Sequence, residues 1–486
     1  MSIPSPIGLP LELKLGEVDF SLPSDARSYQ VNVQPSNVSQ VQVAGISLIC
    51  AASAAPTVLP QFSSQTLYFD LPAGSSPSTF LDNRFTTLSF RANVSITTAV
   101  TAASITSAFQ RSGGYSWFDR LYITAQNGNI VEDVTEFGMV NDLMVATQLN
   151  PATRDSLAVQ YGFLSDPAAT VSQGHQWTTI VGGAAVTATE TYSYSIPLAS
   201  SLIGVTADRF FNIGRTNKLQ LALQTASELP ISILCSATAA IAGAMTVTLS
   251  DFAIQCQYVD VGPSALAMID ATLPDKKAYI HGTTYKTSSI SMPSAAGTQS
   301  LLAGIRGSSI KSLFARFQDL GTQNITNSIN GKYDSKNPML NSINFNVGGQ
   351  KLPNNPVNPL LNPSRAFRAL QMASGAFNNS QFQSAIIPAQ YCKLAAGGTA
   401  QGATVGATQA YFWNLGSVQT GLCQFIYGED LEIVARRGLM SGMNCNSAPV
   451  FVEFNASVAP TNAQTVYVHA LSDVVYIHDV MTGDVQ

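Results

Sequence analysis

Along most of this chain apolar and polar residues alternate with a period of two over short runs. Gln65–Asp70, Thr87–Ile96, Asp119–Ala125 and Lys218–Gln224 each read this way and lie between clusters of Gly, Pro, Ser and Asn. That pattern predicts strands with one buried face, because successive side chains on a strand point to opposite sides. Helical spacing stands out chiefly in Glu136–Leu149 and Ser364–Ala373. The chain is therefore expected to be mainly β, with short helices between strands.

The order of these elements repeats. Asp119–Leu149 reads as strand, Asn127-Gly128 turn, strand and helix, and Asn341–Met372 reads as strand, Gly348-Gly349 turn, Pro-rich connection and helix. A strand preceded by a turn (from Asn212, and from Ser441) and a closing strand (Val247–Val261, and Tyr467–Val480) follow in both halves, at a spacing of about 220 residues. Gly262–Pro274, with Pro near both ends and helix formers between, predicts a compact connecting helix. The expected layout is an N-terminal arm over 1–40, a first jelly-roll barrel over 41–262, a linker over 263–274 and a second jelly-roll barrel over 275–486. At 486 residues the chain exceeds what one hydrophobic core usually serves.

The 22 uncharged residues between Glu228 and Asp251 are long enough to span a bilayer as a helix. Pro230, Gly243 and the alternation in Met245–Gln255 favour two strands joined by a small-residue loop instead. Met1–Gly16, with Pro4, Pro6 and Pro10, does not read as a signal peptide, so a cytosolic product is expected. Only 11% of residues are charged against 45% apolar, which implies a largely uncharged surface suited to meeting other protein copies. A net charge of −5 and an N-terminal stretch without basic excess exclude a basic arm that wraps nucleic acid. The six scattered cysteines (Cys50, Cys235, Cys256, Cys392, Cys423, Cys445) are expected to be reduced, buried thiols.

Catalytic signatures with local spacing (P-loop, GxGxxG, HExxH, GxSxG) are absent from the sequence. His469 and His478, with Asp473 and Asp479, could suggest a metal or acid–base group, but on one extended strand the two rings differ in parity and lie roughly 30 Å apart. His175 and His281 stand alone. The carboxylate clusters Glu132, Asp133, Glu136 and Glu429, Asp430, Glu432 are expected to be solvated turns or helix starts. Arg436-Arg437, Lys276-Lys277, Arg365 and Arg368 are expected to bridge subunits or cap helices. Tyr115, Trp117 and Phe118 could form a sugar-stacking platform, but core filling is the expectation. Asn37, Asn93, Asn324, Asn378 and Asn455 head Asn-x-Ser/Thr triplets that a chain of this composition produces by chance, and Gly397–Ala410 is a low-complexity stretch expected to form a surface loop. No catalytic, cofactor-binding or metal site is assigned.

The Gly113–Val134 stretch (GGYSWFDRLYITAQNGNIVEDV), the Ser441-Gly442 turn in Leu439–Asn446, and the final strand with Tyr476 and Asp479 resemble the double jelly-roll major capsid proteins of tailless icosahedral DNA viruses. That group spans phages, virophages, Polinton-type elements and giant algal viruses, and the resemblance covers roughly residues 60–480, by order of features more than by identity. It implies a homotrimer of pseudo-sixfold outline that builds an icosahedral virion shell, with upright barrels, outward loop towers and inward termini. The implied partners are neighbouring capsomers, penton and minor capsid proteins and, where one is present, an internal membrane. No enzyme activity, cofactor or sequence-specific nucleic-acid contact is implied, and the protein would be made in the host cytoplasm and end in the virion. A lectin-like or fibre-type host-recognition protein is the alternative, and a β-sandwich glycoside hydrolase with carboxylates drawn from separate strands is a third reading.

Overall fold

In the computed structural model the described residues are 26–50, 64–99, 104–109, 112–162, 180–181, 186–207, 210–228, 230–235, 241–319, 332–333, 335–375, 386, 391, 424–432, 441–460 and 463–486. The first half contributes β1 (Arg27–Val33), β2 (Val41–Cys50), β3 (Thr66–Leu71), β4 (Thr79–Ala99), β5 (Ser104–Phe109), β6 (Phe118–Ala125), β7 (Ile130–Thr135), α1 (Phe137–Gln148), α2 (Pro151–Tyr161), β8 (Ile180–Val181), β9 (Val186–Pro197), β10 (Leu219–Thr225), β11 (Ile231–Cys235) and β12 (Ile241–Asp260). After the connecting helix α3 (Gly262–Thr272) come β13 (Lys277–Met292), β14 (Gly297–Ala303), β15 (Ile310–Asp319), β16 (Leu340–Val347), β17 (Gln350–Val357), α4 (Pro363–Ala373), β18 (Ile426–Asp430), β19 (Val450–Ala456) and β20 (Gln464–Asp479).

The same pair of four-stranded sheets occurs twice. In the first half the orders are β1-β12-β4-β9 and β3-β10-β6-β7, and in the second they are β13-β20-β15-β18 and β14-β19-β16-β17. Matched by position, each strand of the first pair has a counterpart in the second, in the same chain order and with antiparallel neighbours throughout. This is jelly-roll topology, in which two Greek-key sheets close face to face and bury alternate residues of every strand. Leu67, Phe69 and Leu71 of β3, and Val450, Val452, Phe454 and Ala456 of β19, show that alternation as buried residues. The first half adds β2, paired to the outer part of the 20-residue β12, and a small sheet β11-β5-β8.

Several sequence expectations land where they were placed, and some move. The uncharged Glu228–Asp251 stretch contains β11 and the start of β12, not a helix; among the described residues no helix is long and apolar enough to cross a membrane. Of the arm expected over 1–40, residues 1–25 lie outside the described residues, and within the rest Arg27–Val33 is a strand paired with Ile254–Asp260. Its alternation, with Tyr29, Val31 and Val33 turned inward, is too short to stand out beside the charged residues that precede it. The Pro-rich connection after Gly349 is also corrected, since Gln350–Val357 forms an edge strand. Pro353 and Pro356 are tolerated there because one side of an edge strand needs no ladder donors. Helix α2, not expected from periodicity, begins where the Asn150 side chain accepts from the Thr153 amide at 2.7 Å.

The two hairpins differ in detail. Gly348 and Gly349 both have positive φ (60° and 93°) in a two-residue loop, as a type I′ turn requires. At the other hairpin Ala125 and Asn129 close a three-residue loop, and Gly128 takes the left-handed position at φ 81°. A Cβ there would meet nothing within 4 Å, so the constraint is backbone alone. Gly128→Val is therefore expected to cost about 1 kcal/mol or more and to lower the thermal midpoint of the purified protein. An unchanged midpoint would refute the turn assignment.

Candidate functional site: the seam between the barrels

Among the described residues, two of the least exposed charged side chains meet between the two halves. Arg316, in the apolar run Leu313–Phe317 of β15, reaches across to Asp142 on α1 with an NH2–Oδ2 distance of 2.9 Å, and both side chains are 1% exposed. The same guanidinium donates to the Met139 carbonyl at 3.2 Å and the Tyr333 carbonyl at 3.0 Å. Nearby, Lys332 sits 2.7 Å from Asp119 and 3.0 Å from Glu136. Burial opposes the Lys332 charge, but Tyr333, Glu136 and Asp119 together raise its pKa and hold it as an ammonium. Close approach fixes the helix as well: a Cβ on Gly138 of α1 would collide with the Tyr333 hydroxyl.

A second set of contacts lies along the seam. Glu132 of β7 accepts from the Ser200 hydroxyl at 2.5 Å, and from the Ser201 amide and hydroxyl at 2.7 and 2.6 Å. Burial raises its pKa while these donors pull the other way. Ser201 also meets the Tyr476 hydroxyl of β20 at 2.5 Å. At Gly282 of β13 the second barrel bridges to Ala207, and a Cβ there would stand 2.5 Å from the Ser201 carbonyl oxygen. Arg215 pairs twice with Asp270 of α3, at 2.6 and 2.7 Å, which fastens the connecting helix to the first barrel.

The structure does not gather the sequence candidates into one centre. His469 and His478 are both fully buried on β20, facing Thr287 (Nδ1 to Oγ1, 2.9 Å) and Thr216 (Nε2 to Oγ1, 3.4 Å) respectively. Asp473 contacts Ser309 and Lys311, and Asp479 caps the turn at Met481 and Thr482. Glu132, Asp133 and Glu136 were expected in a solvated turn, and this is corrected: Glu132 is buried, Glu136 pairs with Lys332, and only Asp133 serves an outer ion pair, with Arg120. The second cluster is corrected in the same sense, since Glu429 accepts from the Tyr427 hydroxyl and Glu432 contacts Lys311 at 3.4 Å. Lys276 reaches the Asp270 carbonyl at the end of α3, and Arg365 the Asn355 carbonyl.

Trp117 and Phe118 are fully buried, and Tyr115 is 5% exposed with its hydroxyl on the Pro197 carbonyl, so the three rings fill core and offer no stacking platform. Asn37, Asn93 and Asn455 use their side chains in hydrogen bonds to other strands or loops. Cys256 and Cys445 are buried free thiols, and burial pushes Cys256 up to about 12. His175, Asn324, Asn378, Cys392, Cys423, Arg436, Arg437 and Gly397–Ala410 lie outside the described residues. Among the described residues no three His, Cys, Asp or Glu side chains group as metal ligands.

Two outcomes follow for the seam. Asp142→Ala leaves Arg316 buried without its carboxylate and is expected to cost about 3–5 kcal/mol in denaturant unfolding, whereas Asp142→Leu with Arg316→Met should recover most of that. A loss below about 1 kcal/mol, the ceiling for exposed pairs, would mean the pair is not the fastening. For His469, burial first and the Arg316 charge second push the pKa down to about 3. The unfolded ring takes up a proton near pH 6.5 that the folded ring refuses until about 3, so stability is full above 6.5 and falls as the pH drops, by up to about 1.4 kcal/mol per unit. Thermal melts between pH 7 and 5 should fall less steeply for His469→Asn than for the parent. Parallel curves would clear His469.

No protein-family model matches this chain, and no curated protein matches it. Its fold does match solved structures. A chain from the cryo-EM structure of the Sputnik virophage aligns with a TM-score of 0.57 at 10% identity, covering 98% of this chain and 92% of that one. The mavirus major capsid protein aligns at 0.51 and 9% identity over 100% of this chain and 94% of that one. The Faustovirus major capsid protein aligns at 0.51 and 8% identity over 95% and 92%. With the sheet orders above, these alignments give the chain the double jelly-roll fold of viral major capsid proteins along its whole length.

Proposed function

We propose that this chain is a major capsid protein that assembles as a homotrimer of pseudo-sixfold outline and tiles an icosahedral virion shell. The observation that carries this reading is the eight-strand order occurring twice in one chain, with end-to-end similarity to two major capsid proteins. Three copies of two similar barrels supply six similar units, and a closed cyclic arrangement avoids open-ended growth. The seam supports the role because it makes two barrels into one rigid block, the property a tile needs. The assembling unit comprises the sheets of 27–260 and 277–479 joined by α3. Neighbouring capsomers are its partners, and penton proteins, minor capsid proteins and any internal membrane are further ones. No catalytic step belongs to this role.

The exposed surface supports it too. In β4 residues 83–86 bulge opposite the single residue Cys256 and put Phe85 at 60% exposure. Arg84, held by both oxygens of Asp82, lies over the rings of Phe85 and Phe210 at 5.7 and 5.3 Å. Arginine and aromatic side chains gathered on an outer face are the composition of protein–protein contacts. Sedimentation of the purified protein is expected to give the mass of three chains, and electron microscopy of concentrated samples should show hexagonal capsomers. A monomer at every concentration, with no trimer in particles, would overturn the assignment.

A further inference from the structure

A lysine, an aspartate and a glutamate meet on the β20-β15-β18 side of the second barrel. Lys311 is the bulged residue of β15, set where Ile310 pairs with Ser472 and Ser312 with Leu471. The bulge turns its ammonium toward the next residue of β20, and Nζ lies 3.0 Å from Asp473 Oδ1. Glu432, just after β18, stands 3.4 Å from the same nitrogen. Asp473 is 1% exposed, Glu432 10% and Lys311 19%. Each carboxylate is held by a hydroxyl: Ser309 donates to Asp473 Oδ2 at 2.6 Å, and Ser441 to Glu432 Oε1 at 2.8 Å. Beside them a cavity of about 340 Å³, lined by Thr284, Lys286, Ser308, Ser472 and Asp473, opens to solvent.

We propose that Lys311 and Asp473 form an intramolecular isopeptide bond, with Glu432 relaying the proton. The Lys311 nitrogen attacks Asp473 Cγ, one bond behind the oxygen it already touches. Held geometry of this kind turns a slow condensation into an intramolecular step. Glu432 takes a proton from the ammonium, which frees the lone pair, and a carboxylate so placed also delivers a proton to the departing oxygen. The N–Cγ bond forms, the Cγ–Oδ1 bond breaks, and an ammonium and a carboxylate become one amide and one water. No oxidant, reductant or co-reactant is consumed, and the neighbouring cavity gives the water an exit. Burial favours the product, since a neutral amide replaces two desolvated charges.

The seam triad of Lys332, Asp119 and Glu136 is similar in composition and serves as an internal control. Tyr333, Glu136 and Asp119 raise the Lys332 pKa and hold its nitrogen protonated, so the Lys332 and Asp119 peptides are expected to stay separate.

The bond would join two adjacent strands within one chain, so it stands or falls independently of the shell role. The test is the intact mass of the denatured full-length protein, followed by peptide mapping. The parent is expected to read one water lighter than its sequence, with the Lys311 peptide joined to the Asp473 peptide and the Lys332 and Asp119 peptides separate. Lys311→Arg, which preserves the ion pair, and Glu432→Gln, which preserves the shape, should both show the full sequence mass while remaining folded by circular dichroism. A parent protein at full mass overturns the proposal. So does a water loss with both peptides linear, because that marks a cyclic imide. Cross-linking as complete in Glu432→Gln as in the parent overturns the relay.

Discussion

The salt bridge between Arg316 and Asp142 fixes what the two closed barrels alone leave open, which is how they sit against each other. The apolar core runs on from one barrel into the other, and apolar contact is non-directional. A guanidinium with one carboxylate and two carbonyls around it tolerates few arrangements. It also stands over a desolvation penalty that any sliding of the seam would expose. Lys332, Glu132 and Tyr476 add contacts of the same directional type along the same boundary. The α1 helix, inserted after the β6–β7 hairpin, is the element that carries Asp142 to this position.

Duplication explains the architecture, and divergence explains its details. Corresponding edge strands β7 and β17 both follow a glycine turn and precede a helix, yet only α1 has its inner residues turned into the seam, while α4 packs on β18. The first barrel extends β4 and β12 to 21 and 20 residues and hangs β2 on the extension. Its β5, β8 and β11 pair with one another as a separate small sheet. The second barrel has long β13 and β20 of 16 residues each, paired along their whole length. In both halves the closing strand lies second in its sheet, between the first strand and the third of the core set. Neither barrel can close until its last strand is in place.

Period-two alternation, the glycine turns and the duplicated order were legible in the sequence because each depends on near neighbours in the chain. The seam was not, because its partners are far apart: Arg316 and Asp142 are separated by most of the β7-to-β15 stretch. A signal existed in each segment taken singly. Arg316 interrupts Leu313-Phe314-Ala315-Arg316-Phe317, and Asp142 interrupts Met139-Val140-Asn141-Asp142-Leu143. A charge set within a run that should be buried requires an opposite charge somewhere, and two such interruptions of opposite sign are a pairing hypothesis. Glu132, Asp133 and Glu136 were misplaced for the converse reason. Acidic residues near a helix start usually face water, and local pattern does not reveal that a second barrel covers them.

The same logic bears on the low charge of the chain. With 11% charged residues, few are available for the surface, and several of those described are committed at the seam, at the α3 fastening and in the Lys311 cluster. Directional charge is concentrated where one geometry must be enforced within the chain. The outer faces carry exposed ion pairs such as Arg84–Asp82, Arg91–Asp251 and Arg120–Asp133, which salt screens, between uncharged and aromatic side chains. The internal pairs are shielded from salt by burial, so the way the two barrels sit against each other is held at ionic strengths that would screen the exposed pairs.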